Sequence, residues 1–402
     1  MEQARGACLF DRDGRRYIDF LAGAGAVNYG HNNPRLNQAL IKHLERDGIV
    51  QALDMSTTAR QAFLDRFAAT ILEPRGLDYV VQLTGPSGAN AIESALKLAR
   101  LTRRRSLVVA FTNAYHGLTL GALAVTANSQ FRNELFVSRM NVSFVPYDGY
   151  FGPAVDTLAY LRKLIDDPAS GLDVPAAILV ETVQAEGGVN VASASWLRGL
   201  AALCRDCGAL LIVDDIQVGC GRTGPFFSFE RAGIEPDIVV MSKSISGAGL
   251  PMSLLLLKPE LDQWARGEEA GTFRGHTLAF VAATEALFYW ETGDLSEQVD
   301  RKGGIVQQRL LEIARRHPEI DAGIRGIGLI WALDLRRSKI AEAASRAAFA
   351  RGLIVERCGP RDTALKILPP LVIEDDLLEE GLSIIDAALT AVIEEHSKHA
   401  NA

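Results

Sequence analysis

The sequence predicts an α/β fold with two units. A large unit is built on a mostly parallel sheet covered by helices, and a smaller α+β unit is formed from both chain ends. Apolar runs of strand length alternate with helical segments through the middle of the chain, and long helices replace that alternation after about residue 295. The chain has 402 residues, and single hydrophobic cores stop growing at roughly 250–300 residues. We place residues 1–35 and 295–402 in the smaller unit and residues 36–294 in the large one.

Seven apolar runs of strand length supply the predicted sheet. They show no alternation of polar and apolar residues, as expected for strands that are covered on both faces. The runs are Tyr79–Leu83, Ser106–Phe111, Val142–Val145, Ala176–Glu181, Ala209–Asp214, Asp237–Met241 and Ser253–Leu257. Helical segments lie between them at Gly88–Thr102, Asp156–Asp167 and Ser193–Cys207. This order is typical of a parallel sheet with right-handed crossover connections.

The two ends of the chain follow a different pattern. After residue 295, three long helical segments surround two short strands. The helical segments are Glu297–Arg316, Ile340–Arg351 and Asp375–Glu395, and the strands are Gly328–Leu335 and Leu365–Ile367. The first 30 or so residues contain short strands and turns, including an Asp-Arg-Asp-Gly turn at residues 11–14. These segments predict a separate α+β unit.

Charge and composition exclude several classes of protein. With 42 Lys and Arg against 49 Asp and Glu, the net charge is −7, so we expect no nucleic-acid partner. No apolar run approaches the roughly 18 residues of a membrane span. The five cysteines are odd in number and widely spaced, so we expect free thiols and a cytoplasmic location. Cys204 and Cys207 form a lone C-x-x-C pair, and packing explains it better than a metal ion.

The first candidate site follows the first predicted strand. Ser87, Gly88 and Ala89 open a helix within the segment Thr84–Ala91. Backbone N–H groups at a helix N-terminus bind phosphate, and small residues allow the phosphate to come close. The segment predicts a phosphate site, although an ordinary strand-to-helix turn has the same residues.

The second candidate site is a pair of carboxylates at the end of the strand Ala209–Asp214. This predicted buried strand ends in Asp214 and Asp215, and the carboxyl ends of parallel strands form the ligand crevice of such sheets. A helix cap or a surface pair is the alternative. The next segment, Gly219–Gly224, matches G-x-G-x-x-G by letter. A dinucleotide site is not expected, because Pro225 and a Phe-rich stretch follow where a helix should begin.

The third candidate site is Lys243, which follows the strand Asp237–Met241 and enters a loop rich in Ser and Gly. A lysine at this position is either an ion-pair partner or a functional amine. Removal from water lowers the pKa of an amine and makes it a nucleophile for carbonyl groups.

The three candidates belong to one edge of the predicted sheet. A phosphate site, an acid that faces a pyridine nitrogen and a lysine that forms a Schiff base are the three requirements of pyridoxal 5'-phosphate. An acid at Asp214 keeps the ring nitrogen protonated, so the ring can accept electrons. The combination predicts a pyridoxal-phosphate enzyme.

The sequence also resembles the class III (ω-amino-acid) aminotransferases of fold type I over nearly its whole length. The spacing from Asp214 to Lys243 and the Gly-Arg-Thr-Gly after Gln217 make the resemblance specific. The other segments that carry it are 9–20, 28–34, Ser87–Lys97, Tyr115–Gly117, Glu181–Gly188 and Lys366–Leu371.

The resemblance implies a role for each candidate residue. Lys243 would bind the cofactor covalently and carry the proton, and Asp214 would face the pyridine nitrogen. Gln217 would lie near the ring hydroxyl, and Tyr115 would stack on the ring with His116 beside it. Cofactor-binding residues implied in this way are Ser87, Gly88, Ala89, Tyr115, His116, Glu181, Asp214, Gln217, Lys243 and Thr272.

Two further implications concern the partner subunit and the substrate. Thr272 matches the Thr that reaches the phosphate in the neighbouring subunit, which implies a homodimer with shared active sites. Glu181 and Glu186 match acids that line the cleft, and in related enzymes the second acid pairs with an arginine that it releases for an α-carboxylate. Lys366 stands at the matching position, and lysine lacks the two-pronged geometry of arginine.

Within this family, three segments are most similar to diaminobutyrate–2-oxoglutarate aminotransferases. They are 22–32, 242–247 and 271–276. The resemblance implies ping-pong transfer of the terminal amino group of L-2,4-diaminobutyrate to 2-oxoglutarate, with an amino-acid donor and a 2-oxo acid acceptor as partners. The alternatives are another ω-amine or ornithine-type aminotransferase, or a racemase, aminomutase or decarboxylase on the same fold.

Overall fold

The computed structural model of this chain describes residues 1–133, 135–136 and 141–400, the last five by their backbone alone. The strands are β1 (Gln3–Arg5), β2 (Cys8–Phe10), β3 (Arg16–Asp19), β4 (Val80–Leu83), β5 (Val108–Phe111), β6 (Val142–Val145), β7 (Ala177–Val180), β8 (Val183–Gln184), β9 (Asn190–Val191), β10 (Leu210–Asp214), β11 (Ile238–Met241), β12 (Leu254–Leu257), β13 (Gly323–Ile327), β14 (Ile330–Asp334), β15 (Leu353–Ile354), β16 (Glu356–Cys358) and β17 (Ala364–Ile367). The helices are α1 (Ala22–Gly25), α2 (Pro34–Glu45), α3 (Thr58–Phe67), α4 (Gly88–Arg103), α5 (Leu120–Val125), α6 (Thr157–Asp166), α7 (Ala194–Cys207), α8 (Thr277–Ala286), α9 (Asp294–Arg316), α10 (Ser338–Ala350) and α11 (Asp375–Ala400).

The central sheet confirms the predicted α/β class. Its seven strands lie in the order β4-β12-β11-β10-β7-β5-β6. The pairs from β11 to β6 are parallel, whereas β12 is antiparallel to both of its neighbours. All residues of β5, β7, β10, β11 and β12 are buried, which explains their uninterrupted apolar sequences.

The parallel register brings the ends of β10 and β11 together. Asp214 pairs with Val240 in this register, so Asp214 and Lys243 leave the sheet at the same edge. The neighbouring strands β7 and β5 also end at this edge, just before Glu181 and Tyr115. The carboxyl ends of parallel strands therefore collect the chemically active side chains, as expected for open α/β sheets.

The two chain ends meet in a smaller sheet. Its order is β1-β2-β3-β15, and β15 near the C-terminus is parallel to β3 near the N-terminus. A second four-stranded sheet has the order β13-β14-β17-β16. Its β16 and β17 are antiparallel, with Glu356 directly opposite Lys366. The second sheet thus carries two charged residues next to each other.

The strand and helix predictions agree closely with the structure for the central sheet and the long helices, but five of the described helices were not predicted. Each predicted run of the central sheet is a strand that is unchanged or shortened at its ends. The unpredicted helices are α1, α2, α3, α5 and α8. Asn33, Thr57 and His276 cap the N-termini of α2, α3 and α8 with side-chain acceptors, which is the usual way to satisfy the first N–H groups of a helix.

Buried side chains from three parts of the chain meet around Arg222, which is fully buried. Its guanidinium donates to the carbonyl oxygens of Leu329 and Pro369 and to the side chain of Asn28. These bonds connect segments around residues 28, 222, 329 and 369, which are far apart in the sequence. Within the described part of the chain, no helix is long and apolar enough to cross a membrane.

Candidate active site

A cavity of about 500 Å³ lies at the carboxyl edge of the central sheet. Nine of the residues predicted from the sequence line it: Gly88, Ala89, Tyr115, His116, Glu181, Glu186, Asp214, Gln217 and Lys243. Ser87, Thr272 and Lys366 are not part of its lining. The structure also places Ala24, Phe131 and Glu356 in the wall, and the sequence analysis gave none of these three a role.

Lys243 enters the cavity from the turn after β11. Its backbone has a positive φ of 54°, an uncommon conformation for a residue other than glycine. Its Nζ donates to the carbonyl oxygen of Ala24 at 2.9 Å. Burial lowers the pKa of the Lys243 amine from 10.5 to about 8. A larger share of this amine is therefore neutral and nucleophilic near neutral pH than for an ordinary lysine.

Asp214 and His116 form a buried pair on the floor of the cavity. His116 Nδ1 lies 2.7 Å from Asp214 Oδ2, and Oδ1 of Asp214 accepts from the backbone N–H of Ile216 at 3.1 Å. His116 is held by a backbone bond to Thr126 Oγ1, and its Nε2 has no partner among the described residues. This pair fixes a carboxylate at the cavity floor and leaves a ring nitrogen free.

Gln217 links two walls of the cavity. Its Nε2 donates to the Ala24 carbonyl at 2.9 Å and to Glu186 Oε1 at 3.1 Å. Its Oε1 is buried and has no donor in the described part of the protein. The Ala24 carbonyl thus accepts from both Gln217 and Lys243, and Gln217 retains an acceptor for a ligand.

Tyr115 and Glu181 form the wall near the ends of β5 and β7. The backbone N–H of Tyr115 donates to Glu181 Oε2 at 3.1 Å. The Tyr115 ring lies edge to face with Phe131, with 5.2 Å between ring centroids. Burial, together with repulsion from Asp214, raises the pKa of Glu181 well above its ordinary value. The aromatic wall can cover a flat ring, and Glu181 is protonated more readily than an exposed acid.

The N-terminus of α4 supplies the predicted anion site. Ser87 caps the helix, and its side chain and that of Asn90 form a reciprocal capping box. Close packing explains the small residues: a Cβ on Gly88 would lie 2.7 Å from Ile216 Cδ1. The helix N-terminus opens toward the cavity through Gly88 and Ala89, where N–H groups and the helix dipole favour a phosphate.

Lys366 lies behind the wall and connects two acids. It is fully buried, and its Nζ lies 2.6 Å from Glu186 Oε1 and 2.9 Å from Glu356 Oε2. Burial would lower the pKa of Lys366, but attraction to Glu186 and Glu356 outweighs burial and raises it. Burial would likewise raise the pKa of Glu186, but Lys366 lowers it. Glu356 was not predicted as a site residue, although the Gly359-Pro360 pair before Lys366 indicates a turn that would bring Glu356 and Lys366 together.

Thr272 lies outside this cavity. It lines a separate surface pocket with Gly85, Asn90 and Lys97, and its carbonyl oxygen accepts from Gln51 at 3.1 Å. A role for Thr272 in its own subunit's cavity is therefore not supported by its position, and its predicted role at a neighbouring subunit stays a prediction.

The arrangement fits pyridoxal phosphate. A lysine amine, a strand-end carboxylate and a helix N-terminus surround one cavity, and these are the groups that this cofactor requires. Two buried polar atoms of residues that line this cavity, His116 Nε2 and Gln217 Oε1, have no partner in the described chain. Asp214 and Lys243 line the same cavity and do not lie on opposite faces of the fold. The fold and the site together define a pyridoxal-phosphate enzyme of fold type I.

The chain belongs to the class-III aminotransferases. The model of the family described as "Aminotransferase class-III" matches residues 1–389. Two curated relatives are named diaminobutyrate–2-oxoglutarate transaminase. The protein from Wolinella succinogenes is 56% identical over 394 residues, which cover 98% of this chain and 92% of that protein. The protein from Nocardia farcinica is 52% identical and covers 97% and 89% of the two chains.

Solved structures share the fold. The ornithine aminotransferase from Toxoplasma gondii ME49 has a TM-score of 0.85 and 29% identity, and the match covers 98% of this chain and 91% of that one. A transaminase from the marine bacterium Virgibacillus has a TM-score of 0.89 and 22% identity, and the match covers 98% and 93% of the two chains. The second match shows the fold alone.

Proposed function

We propose that this enzyme transfers the terminal amino group of L-2,4-diaminobutyrate to 2-oxoglutarate by a ping-pong mechanism, forming aspartate semialdehyde and glutamate. The main support for the proposal is that Lys243, Asp214 and Glu186 line one cavity in a class-III aminotransferase. The names of relatives that are 52–56% identical support the choice of donor.

Lys243 is the proposed catalytic base. When bound, pyridoxal phosphate accepts the electrons released as the substrate C–H bond breaks. Lys243 Nζ is the amine in the cavity placed to take that proton and return it, and its lowered pKa suits both steps near neutral pH. The Ala24 carbonyl holds Nζ in place before substrate enters.

The remaining residues hold the cofactor and shape the cavity. Asp214 supplies a negative charge for the pyridine nitrogen, and His116 fixes the orientation of its carboxylate. Ser87, Gly88 and Ala89 hold the phosphate at the start of α4. Gln217 offers Oε1 to the ring hydroxyl, and Tyr115 covers one face of the ring. Glu186 lines the cavity and is proposed to meet the substrate, while the buried Lys366 holds it from behind the wall.

A spectral screen of half-reactions tests the donor. Purified enzyme loaded with pyridoxal phosphate is mixed with diaminobutyrate, ornithine, 4-aminobutyrate, β-alanine, taurine or lysine, and loss of the cofactor's absorbance band is followed. We expect diaminobutyrate to react with the highest kcat/KM and glutamate to react as the second substrate. A larger kcat/KM for another amine would reject diaminobutyrate as the donor. If glutamate failed to convert the cofactor, transamination itself would be wrong.

A homodimer with shared active sites is part of the proposal. Thr272 lies on the surface next to the loop before α4, a position from which it can reach a neighbouring copy. Mixed dimers test this role. A dimer of one Lys243→Ala subunit and one Thr272→Ala subunit has one complete site if Thr272 acts across the interface. We expect up to half of the wild-type activity in the mixed dimer. Activity no higher than in the two parent variants would contradict the exchange.

A cytoplasmic location also remains a proposal. All five cysteines carry free thiols, and four of them are buried. Free thiols persist in reducing compartments. Fractionation of cells that express the tagged protein tests the proposal, and recovery outside the cytoplasm would contradict it.

A further inference from the structure

Glu356 is a cavity residue to which the mechanism above assigns no role. It begins β16 and stands directly opposite Lys366 in the antiparallel pair with β17. Its side chain lines the cavity that contains Lys243 and Asp214, and about 36% of it is exposed. Among the described residues, Lys366 is its ion-pair partner. Glu356 is thus held at the cavity wall by one contact.

The charges around Lys366 do not balance. Its single ammonium group lies between the carboxylates of Glu186 and Glu356, at 2.6 Å and 2.9 Å. Glu186 also accepts from Gln217. Glu186, Glu356 and Lys366 together carry one net negative charge, and Lys243 is a further cation that is attracted to both acids.

The two acids differ in how much acceptor capacity they have left. Glu186 Oε1 accepts from Lys366 and Gln217, whereas Glu356 makes its one ion pair through Oε2. A carboxylate has about four lone-pair sites for donors. Glu356 therefore keeps more free acceptor capacity than Glu186, and a ligand ammonium group is the matching donor.

We propose that Glu356 determines specificity for diamino acids by binding the ammonium group that is not transferred. This inference rests on the proposed function, since it concerns the same cavity and the same reaction. An excess negative charge repels a ligand that presents only a carboxylate, and a second ammonium group removes that repulsion. The role of Lys366 is then to hold Glu356 and Glu186 at the wall.

Two substrates isolate this interaction. L-2,4-Diaminobutyrate and 4-aminobutyrate have the same carbon chain, carboxylate and reacting amine, and they differ in the α-ammonium group. Glutamate has no second ammonium group beside the one it transfers. Removal of the charge at Glu356 should therefore affect diaminobutyrate far more than the other two substrates.

The test is the variant Glu356→Gln, measured in single-turnover half-reactions with each amine. A hydrogen bond to a charged group is worth enough for a fold-change of roughly tenfold to a hundredfold. We expect the ratio of kcat/KM for diaminobutyrate to that for 4-aminobutyrate to fall by this factor. The loss should lie in KM, because the ammonium group is bound equally before and during the reaction. Glu342→Gln, which removes an exposed acid of α10 paired with Arg346, is the matched control.

A second variant guards against a folding defect. Glu356→Asp keeps the charge, and we expect it to retain most of the preference for diaminobutyrate. Thermal unfolding of both variants and of wild type checks that each is folded. If Glu356→Gln is unfolded, a folded Glu356→Ala takes its place: loss of the preference for diaminobutyrate supports the proposal, and an unchanged preference overturns it.

The outcomes separate the two proposals. An unchanged ratio in a folded Glu356→Gln, with diaminobutyrate still preferred by wild type, overturns the role of Glu356 alone. An equal loss with all three amines, glutamate included, overturns it as well, since Glu356 would then act through Lys366. If wild type prefers ornithine, the donor is wrong, and the same comparison with 5-aminopentanoate tests Glu356. If wild type uses no diamino acid, both proposals are wrong.

Discussion

His116 Nδ1 lies 2.7 Å from Asp214 Oδ2, and both side chains are buried at the end of β10. The ring nitrogen orients the carboxylate that faces the cavity, while the backbone N–H of Ile216 holds its other oxygen. This arrangement predicts that substitution of Asp214 lowers activity more than substitution of His116, because Asp214 carries the charge and His116 only positions it.

The first prediction follows from that ranking. Asp214→Asn removes the charge, and we expect kcat to fall by about a hundredfold or more, whereas His116→Phe removes one hydrogen bond and should cost roughly tenfold. Steady-state kinetics and the dissociation constant of pyridoxal phosphate measure both effects. Asp206→Asn, at an exposed acid paired with Arg162, is the control. A larger loss in His116→Phe than in Asp214→Asn would contradict the assignment.

The second prediction concerns the catalytic amine. We expect Lys243→Ala to fold and to lose at least a thousandfold in turnover, because both covalent binding of the cofactor and proton transfer are removed. Circular dichroism checks the fold, and single-turnover kinetics measure the loss. Lys339→Ala, at an exposed position of α10, should keep full activity. Turnover of Lys243→Ala at the wild-type rate would refute the assignment of the amine.

The third prediction is a pH dependence. Burial places the pKa of the Lys243 amine at about 8, and only the neutral amine attacks an aldehyde. The rate at which cofactor-free protein captures pyridoxal phosphate should therefore rise about tenfold per pH unit below pH 8 and level off above it. Stopped-flow absorbance from pH 6 to pH 10 measures this rate. A rate that still rises steeply at pH 10 would mean that the amine has its ordinary pKa.

The fourth prediction separates charge from hydrogen bonding at Glu181. Burial and repulsion from Asp214 raise the pKa of Glu181, so this carboxyl takes up a proton at a higher pH than an exposed acid does. Glu181→Gln keeps an acceptor for the Tyr115 N–H, and we expect the free energy of unfolding to change by less than about 0.5 kcal/mol. Glu181→Leu leaves that N–H without a partner and should cost about 1–3 kcal/mol. Urea unfolding measures both values. An equal loss of unfolding free energy in Glu181→Gln and Glu181→Leu would show that stability depends on the charge of Glu181 and not on its hydrogen bond to Tyr115.

The fifth prediction concerns the buried Arg222. Its bonds to Asn28, Leu329 and Pro369 join three parts of the chain. Arg222→Met leaves these acceptors without a donor, so we expect a loss of at least about 2 kcal/mol in the free energy of unfolding. Arg361→Met, at an exposed position, should stay within about 0.5 kcal/mol. A loss no larger than in this control would mean that water replaces the guanidinium.

Local sequence patterns predicted the parts of the fold that depend on neighbours along the chain. Strands buried on both faces must be apolar throughout, and β10 and β11 were therefore visible as uninterrupted runs. Helices α4, α6 and α7 have an apolar stripe at helical spacing and were predicted as well. Helix α8 was not predicted, because it is apolar on nearly all sides and lies buried among other elements. Its apolar residues therefore show no helical periodicity in the sequence.

The residues of the candidate active site also fall into those that local sequence patterns predicted and those that they did not. Asp214 ends a strand, and Lys243 and Ser87 come within four residues of the end of one, so the order of strands predicted that all three belong to one edge of the sheet. Glu356 and the Ala24 carbonyl come from distant segments, and no spacing in the sequence relates them to Lys243. Ala24 reaches the cavity through a left-handed backbone, with φ of 54°, which sequence patterns of strands and helices do not predict.

The sequence by itself determined the class of this protein, because its catalytic groups stand at fixed short distances from buried strands and their chemistry follows from residue type. Only the tertiary structure determined which charged side chains form ion pairs with each other. Lys366 stands between Glu186 and Glu356 because β16 and β17 pair in one register while the segment after β8 folds against them. Such contacts depend on the packing of three separate segments, and electrostatic attraction acts through space rather than along the chain.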